Sequence, residues 1–285
     1  SNLYLASTAP GVNKTFVYIR NSTANSFYLR NTITLDIGNT AGDDRFGHSI
    51  AMTSDGQRIF ASSPQTADIV KLTLSATFRA YTRGTTVIGS VSGATGKILD
   101  VDWDNDIIWV KNTSATDFQS EPLDVGDSSS TITVTAVEGT DATSQGAVHW
   151  INADARTSYG INQSIVAPNV DKGGEFGTSV AVSGNGTYLV IGAPGGPDDS
   201  TALDRGTVYV YKYAKDGSSA RYDLHQTLVP TADSQLGARF GAQVSISSDG
   251  NTIAIASPLQ HNDSTSVDEG RVYVYRLKND VFYEH

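Results

Sequence analysis

The chain has 285 residues, of which 39% are apolar and 18% charged. That length and balance support a packed core, as two ordinary domains or one large all-β domain, and exclude disorder. A net charge of −10 and the absence of cysteine argue against nucleic acid as a partner and remove disulfides and thiolate metal sites.

Thirteen Tyr, 27 Gly and a single Met favour strands and tight turns. No long stretch has the i, i+3, i+4, i+7 spacing of an amphipathic helix. No apolar run approaches the roughly 20 residues of a membrane helix, so membrane insertion is not expected.

In chain order, residues 3–10 and 15–19 read as two strands, followed by a strand that holds Phe27 and Ile33 six residues apart. Phe46-Gly47 opens a hairpin: an alternating run at 49–52, a turn at Ser54-Asp55-Gly56, and a second run that ends at Pro64. The same unit recurs from Phe176-Gly177 through Gly184-Asn185-Gly186 to Pro194, and from Phe240-Gly241 through Ser248-Asp249-Gly250 to Pro258. Phe and Pro are 18 residues apart in all three copies. An Asp-Gly or Asn-Gly turn between alternating runs at fixed length specifies a β-hairpin.

Twelve residues after each of the last two prolines a period-two strand begins, at Gly206 and Gly270. A further strand carries Tyr222 six residues before Leu228, and Tyr159 before Ile165 repeats the column. Four short antiparallel strands per unit, repeating every 64 residues or so, predict an all-β fold, a β-propeller of four-stranded blades. At least four repeats are present. The first begins in its second strand, and the last stops early in its fourth, at residues 282–285. A strand left without its neighbour is an exposed edge, so the sequence is expected to be a segment of a longer protein.

One blade departs from the spacing, because 82 residues separate Pro64 from Gly146 where the other units use 12. The insertion holds its own apolar runs, at residues 78–82, 86–91, 97–103, 107–111 and 131–137. It is expected to form a small barrel or sandwich. The predicted organisation is propeller over residues 1–66, inserted domain over 67–144 and propeller again over 145–285.

Phe176-Gly177 with Gly192-Ala193-Pro194 resembles the FG-GAP signature, the repeat of integrin α-chain propellers. Phe46-Gly47 with Ser62-Ser63-Pro64, and Phe240-Gly241 with Ala256-Ser257-Pro258, resemble weaker copies. The resemblance implies that the Phe fills space between blades and that the Gly allows close backbone approach. Many repeats of that family hold calcium in the first turn, which requires several oxygen ligands. The turns at Asp55, Asn185 and Asp249 offer at most one carboxylate each. This chain therefore resembles the calcium-free branch found in bacterial and viral surface proteins, with no cofactor expected and calcium the only one the resemblance raises.

The step at residues 92–96, Ser-Gly-Ala-Thr-Gly, followed by residues 97–110 and 118–126, resembles a β-module of tailed-phage virion structural proteins. It implies a non-enzymatic phage tail or fibre component at a virion or extracellular surface. Its partners would be other virion or surface proteins, or a host glycan or protein. The alternatives are a bacterial extracellular adhesin or surface matrix protein, and a carbohydrate-active enzyme on a propeller scaffold.

Candidate chemistry is sparse. Asp100, Asp102, Asp104 and Asp106 form the densest acidic cluster and the weak candidates for a cation. The favoured alternative makes Asp100, Asp102 and Asp104 the solvent face of a hairpin strand, without the Gly and Glu of an EF-hand loop. Asp198, Asp199 and Asp204, with Asp263, Asp268 and Glu269 one repeat later, read as solvated loops. His48, His149, His225, His261 and His285 lack metal-ligand spacing. No Gly-x-Ser-x-Gly elbow is present. The alternating Tyr209, Tyr211, Tyr213, Tyr273 and Tyr275 are assigned to packing between blades. No catalytic residues are predicted.

Overall fold

A computed structural model describes the chain apart from residues 1–3, 10–13, 22–25, 35–43, 77–81, 103, 125–131, 140–143, 155–157, 170–172, 197–204, 217–218, 231–236 and 261–268. The expected acidic loop at 198–204 and the positions Asp263, Asp268 and His261 therefore lie outside the described residues, as does most of the strand expected at 78–82.

All regular structure among the described residues is β. Strands β1 (Tyr4–Ala9), β2 (Lys14–Asn21) and β3 (Ser26–Thr34) form a three-stranded antiparallel sheet. Strands β4 (Ile50–Met52) and β5 (Arg58–Ser63) open the second sheet. The chain then leaves for a closed six-stranded barrel. Its strands are β6 (Ile69–Leu74), β7 (Thr86–Gly89), β8 (Thr95–Asp102), β9 (Ile107–Asn112), β10 (Pro122–Asp124) and β11 (Ile132–Glu138), in the order β10-β11-β6-β9-β8-β7. It returns as β12 (Ala147–Asp154) and β13 (Ser158–Val166), which complete the second sheet beside β5. The third sheet runs β14 (Ser179–Val182), β15 (Tyr188–Ala193), β16 (Thr207–Asp216), β17 (Ser219–Leu228). The fourth runs β18 (Gln243–Ile246), β19 (Thr252–Ser257), β20 (Arg271–Lys278), β21 (Val281–Glu284). The fold is a β-propeller of four-stranded antiparallel blades with an inserted barrel.

The repeat signature occupies the seams between blades. Phe46, Phe176 and Phe240 are fully buried. Each packs on one position of the third strand of its own blade: His149 at 5.4 Å between ring centroids, Tyr209 at 5.5 Å and Tyr273 at 5.1 Å. Phe176 and Tyr211 share a cluster with Val148, Trp150 and Ile165 of the preceding sheet, so the tyrosines serve the seam as their alternation implies. Gly177 sits at φ +92°, where a Cβ would fall 2.9 Å from that of Ser62 in the second sheet. Proline follows each second strand, where the missing N–H does not interrupt the ladder.

The first turns of neighbouring blades are joined by backbone: Ser54 N–H donates to Gly184 O at 3.0 Å, and Gly184 N–H donates to Ser248 O at 2.9 Å. Their acidic or amide residue closes its own turn. Asp55 accepts from Thr53 Oγ1 and Gln57 N, Asn185 Oδ1 from Ser183 Oγ and Thr187 N, and Asp249 from Ser247 Oγ and Asn251 N.

Two regularities emerge that the sequence reading did not include. A β-bulge recurs between third and fourth strands, where Arg30, Asn162 and His225 are skipped in the registers of β2/β3, β12/β13 and β16/β17. Each lies three residues after the aromatic column of Phe27, Tyr159 and Tyr222. One residue further on, an amide reaches the next blade. Asn31 Nδ2 donates to Tyr159 O at 3.1 Å, Gln163 exchanges two bonds with the Tyr222 backbone, and Gln226 does the same with Phe282.

In the barrel, β6 and β10 join the expected strands. Val70, Leu72 and Leu74 alternate into its core with Val87, Ile98 and Val110. The step at 92–96 has a local explanation. The buried Glu121 carboxylate accepts from Val91 N (2.6 Å), Ser92 N (2.7 Å), Gln119 N (3.2 Å) and the Ser92 hydroxyl. Burial alone would raise its pKa, but these four donors outweigh it and hold the carboxyl below its ordinary value.

Candidate functional site

The barrel is held against the second blade by apolar and polar contacts. Ile69 and Leu99 on its outer face pack with Ala147 and Val166, and Trp109 lies against this cluster. The β8/β9 ladder shifts register between Ile98 and Asp100, so Leu99 is the bulged residue. The bulge places Leu99 and Asp100 in succession on the outer face, between Ile98 and Val101 of the barrel core.

The propeller lying against that outer face corrects the expectation for the acidic cluster. Asp100 is not on a solvent face: it turns to the propeller, where Gln163 Nε2 donates to its Oδ2 at 3.1 Å. Burial raises its pKa to about 6, against the lowering effects of Gln163, the Val101 N–H and the Arg221 charge, and Asp223 adds to the rise. Asp102 closes the hairpin turn, accepting from Asp104 N (3.1 Å), Asn105 N (3.2 Å) and Asn105 Nδ2 (2.9 Å). Asp104 is exposed at the tip, and Asp106 takes the left-handed turn position at φ +55°. With Asp100 and Asp102 directed to different partners, the four do not converge on a point. Among the described residues no three His, Asp or Glu side chains are grouped to hold a metal.

What the cluster does form is one wall of a cleft of about 500 Å³ between barrel and propeller. The barrel contributes Lys71, Asp100, Asp102, Asp104, Asn105 and Trp109; the blades contribute Pro168, Tyr211, Arg221, Asp223 and Leu224. Lys71 pairs with Glu138 at 3.1 Å and Arg221 pairs with Asp223. Tyr211 donates its hydroxyl to Val166 O at 3.1 Å, which leaves its ring as wall. The sequence reading found the Asp side of this cleft but not Trp109, Arg221 or Asp223.

A buried polar chain lies behind the cleft. Arg83 Nε, from the barrel, donates to Ser164 Oγ at 2.7 Å. Ser164 Oγ meets His149 Nδ1 at 2.9 Å, and His149 Nε2 meets Ser63 Oγ at 2.9 Å. Arg83 can only donate, which directs the Ser164 hydroxyl proton to Nδ1 and places the imidazole proton on Nε2. His149 is fully buried. Desolvation, with the Arg83 charge second, lowers its pKa to about 3. It occupies the position of Tyr209 and Tyr273 in the other blades.

A pH dependence follows. Below pH 6.5 the unfolded chain takes up a proton that folded His149 refuses, so stability falls by up to about 1.4 kcal/mol per pH unit until about pH 3. Asp100 acts in the opposite sense. Its raised pKa contributes stability that is complete below its ordinary 3.8 and lost as pH rises through about 6. Comparing the chain with His149→Tyr isolates the histidine. Between pH 7.5 and 5 the unmodified chain should lose about 2 kcal/mol more than the variant in urea unfolding. Parallel pH curves would refute the assignment.

Residues 160–211 match the family model described as FG-GAP repeat. No curated protein matches the chain. Among solved structures, the chain is similar to a candidate 6-phosphogluconolactonase of Bacteroides uniformis (10% identity, 99% of this chain and 81% of that one, TM-score 0.26). It is also similar to a candidate 6-phosphogluconolactonase of Bacteroides fragilis (11%, 99% and 92%, 0.31), and to the β-propeller domain of Myceliophteria thermophila Swd1 (10%, 98% and 84%, 0.28). Likenesses this distant assign no activity. They do correct the expectation that the chain is not an enzyme, because structures described as lactonases stand among its neighbours.

Proposed function

We propose that the chain is an adhesive propeller module, whose blades present the inserted barrel and the adjoining cleft to a partner at a virion or extracellular surface. The observation that carries this reading is the docking of the barrel. Leu99, Asp100 and Arg83 all engage the second blade, so an element foreign to the repeat is held in one orientation. A rigid scaffold with one exceptional, positioned insertion is how folds of this kind acquire specificity. The FG-GAP repeat at 160–211, a repeat often found in adhesive propellers, supports the same reading. The phage tail or fibre setting, with other virion proteins or a host glycan or protein as partner, is the finer form of the proposal. It rests on the resemblance of residues 92–96, and no comparison adds to it. A bacterial surface adhesin is the other setting.

The test replaces residues 67–144 with a short linker of the length used in the other blades. The full chain, fluorescently labelled, should bind whole cells of a bacterial panel in flow cytometry. The shortened chain should keep a cooperative unfolding transition and lose that binding at least about tenfold, the loss of a central contact patch. Equal binding by the two, or none by the full chain, would sink the proposal.

A further inference from the structure

Resting on that reading, we propose that the cleft between barrel and propeller is a binding site for a neutral saccharide. Trp109 would supply its stacking wall, and Asp104, Asn105 and Asp223 the groups that bond its hydroxyls.

The size and lining of the cleft suit a small ligand. About 500 Å³ falls within the range of small-ligand pockets, which combine apolar walls with a few convergent polar groups. The apolar part is Trp109 on the barrel side, with Pro168 and Leu224 on the propeller side. Leu224 is 44% exposed, a large aliphatic side chain left open at the rim. The indole N–H of Trp109 is buried and meets no acceptor, a donor in the cleft wall with its hydrogen bond unmade. Such a group is costly to leave unsatisfied, and a ligand oxygen admitted by a small shift of the wall would satisfy it.

Charge selects the class of ligand. Asp100, Asp102, Asp104 and Asp223 outnumber Lys71 and Arg221, and both cations already hold carboxylate partners. A phosphate, sulfate or acidic sugar would meet a residual negative field with no free cation to receive it. A cationic ligand fares little better, since Asp100 is committed to Gln163, Asp102 to its own turn and Asp223 to Arg221. The Asp223 carboxylate and the Asn105 amide, held by Arg221 and Asp102, retain lone pairs that accept hydroxyl donors without reorganising. The exposed Asp104 carboxylate adds acceptors at the tip. A ring with several hydroxyls on its edge and C–H groups on its face is complementary to that combination.

The experiment titrates the full chain with neutral gluco-, galacto- and N-acetylhexosamine oligosaccharides by calorimetry, beside sialylated and sulfated glycans and a Lys-rich peptide. Asp104→Asn and Asp223→Asn change exposed or rim groups, and Trp109→Phe keeps an aromatic ring should a smaller residue loosen the barrel. Val91→Ser, at a barrel turn outside the cleft, serves as control. At least one neutral series should bind. Each of the three cleft variants should weaken it about tenfold, as loss of a charged hydrogen-bond partner, or of the indole's wider face and its N–H, does, with Val91→Ser unchanged. The proposal is overturned if no neutral oligosaccharide binds. It is equally overturned if acidic glycans or the peptide bind in preference, or if the cleft variants bind like the unmodified chain. Cell binding that depends on the barrel but ignores these variants would remove the saccharide and leave the adhesive reading standing. Loss of barrel-dependent cell binding altogether would remove the adhesive reading instead.

Discussion

Phe176→Ala should destabilise the propeller by about 3–5 kcal/mol, the range for emptying a buried aromatic site. Phe176 is fully buried, with its ring centroid 5.5 Å from that of Tyr209 and 6.3 Å from that of Tyr211, at the seam where the second and third sheets meet. Its backbone is pinned from both sides: Phe176 N–H donates to Gln145 O at 3.0 Å, and Gly177 N–H donates to Gly192 O at 2.9 Å. The seam therefore has little freedom to collapse into the space an alanine leaves, which places the cost high in that range. The control is Phe27→Ala in β3, where the side chain is 43% exposed and the loss should stay under about 1 kcal/mol. Urea unfolding of both variants decides it; a Phe176→Ala midpoint close to that of Phe27→Ala would show that the signature Phe does not hold the seam.

The contrast between those two phenylalanines shows where the sequence is informative. Phe46, Phe176 and Phe240 are legible because three identical spacings to proline leave one architecture that repeats at that length. The turns at Asp55, Asn185 and Asp249 are legible because only a few residue types tolerate their backbone. Phe27 and Tyr222 fall in the same column, yet one is exposed and the other buried, since burial depends on the blade that precedes: Phe60 and Trp150 of the second sheet pack on Tyr222.

The bulges and the amide ladder belong to the same class of hidden information. Asn31, Gln163 and Gln226 stand at equal spacing from the aromatic column. A polar residue inside a strand has no evident role until the backbone it reaches in the next blade is known. A bulge shifts register by one residue and so exchanges faces. Without the bulge, alternation from Ile98 would turn Asp100 into the barrel core; with it Asp100 lies on the outer face, at a place the propeller covers. The cleft was less legible still, because Trp109 and Asp223 come from units that the sequence separates by more than a hundred residues. Strand β6 was within reach: Val70, Leu72 and Leu74 alternate, directly after the proline turn.

The single carboxylate or amide in each first turn has a structural role in the ladder those turns form. A cation site there would need carboxylates aimed into the loop. Instead Asp55, Asn185 and Asp249 bond their own turn backbones, and the turns bond one another from blade to blade. Gly184 lies in that chain, where a Cβ would meet Ser248 Oγ at 2.2 Å. Backbone contact between neighbouring turns thus requires a small residue at Gly184.

Gly206→Ala should cost about 3–5 kcal/mol, from two causes that can be separated. Gly206 has φ +87°, a region L residues rarely adopt, and a Cβ there would lie 2.1 Å from Phe240 O and 2.6 Å from Phe240 N. The obstacle is backbone, not the end of a flexible chain. Phe240 N–H already donates to Arg205 O at 2.8 Å, so the two segments cannot part without breaking that bond. Gly173 provides the comparison: its φ is +73° and nothing lies within 4 Å of a Cβ there. Gly173→Ala should therefore show the conformational cost alone, about 1 kcal/mol. The excess at Gly206 measures how closely the start of a third strand presses on the Phe-Gly pair of the next blade. Gly146 stands in the same relation to Phe176, with 2.1 Å from a Cβ to the Phe176 carbonyl, so the contact is a property of the repeat. Equal losses at Gly206 and Gly173 in urea unfolding would mean that the seam yields, and that the glycine is retained for its backbone angle alone.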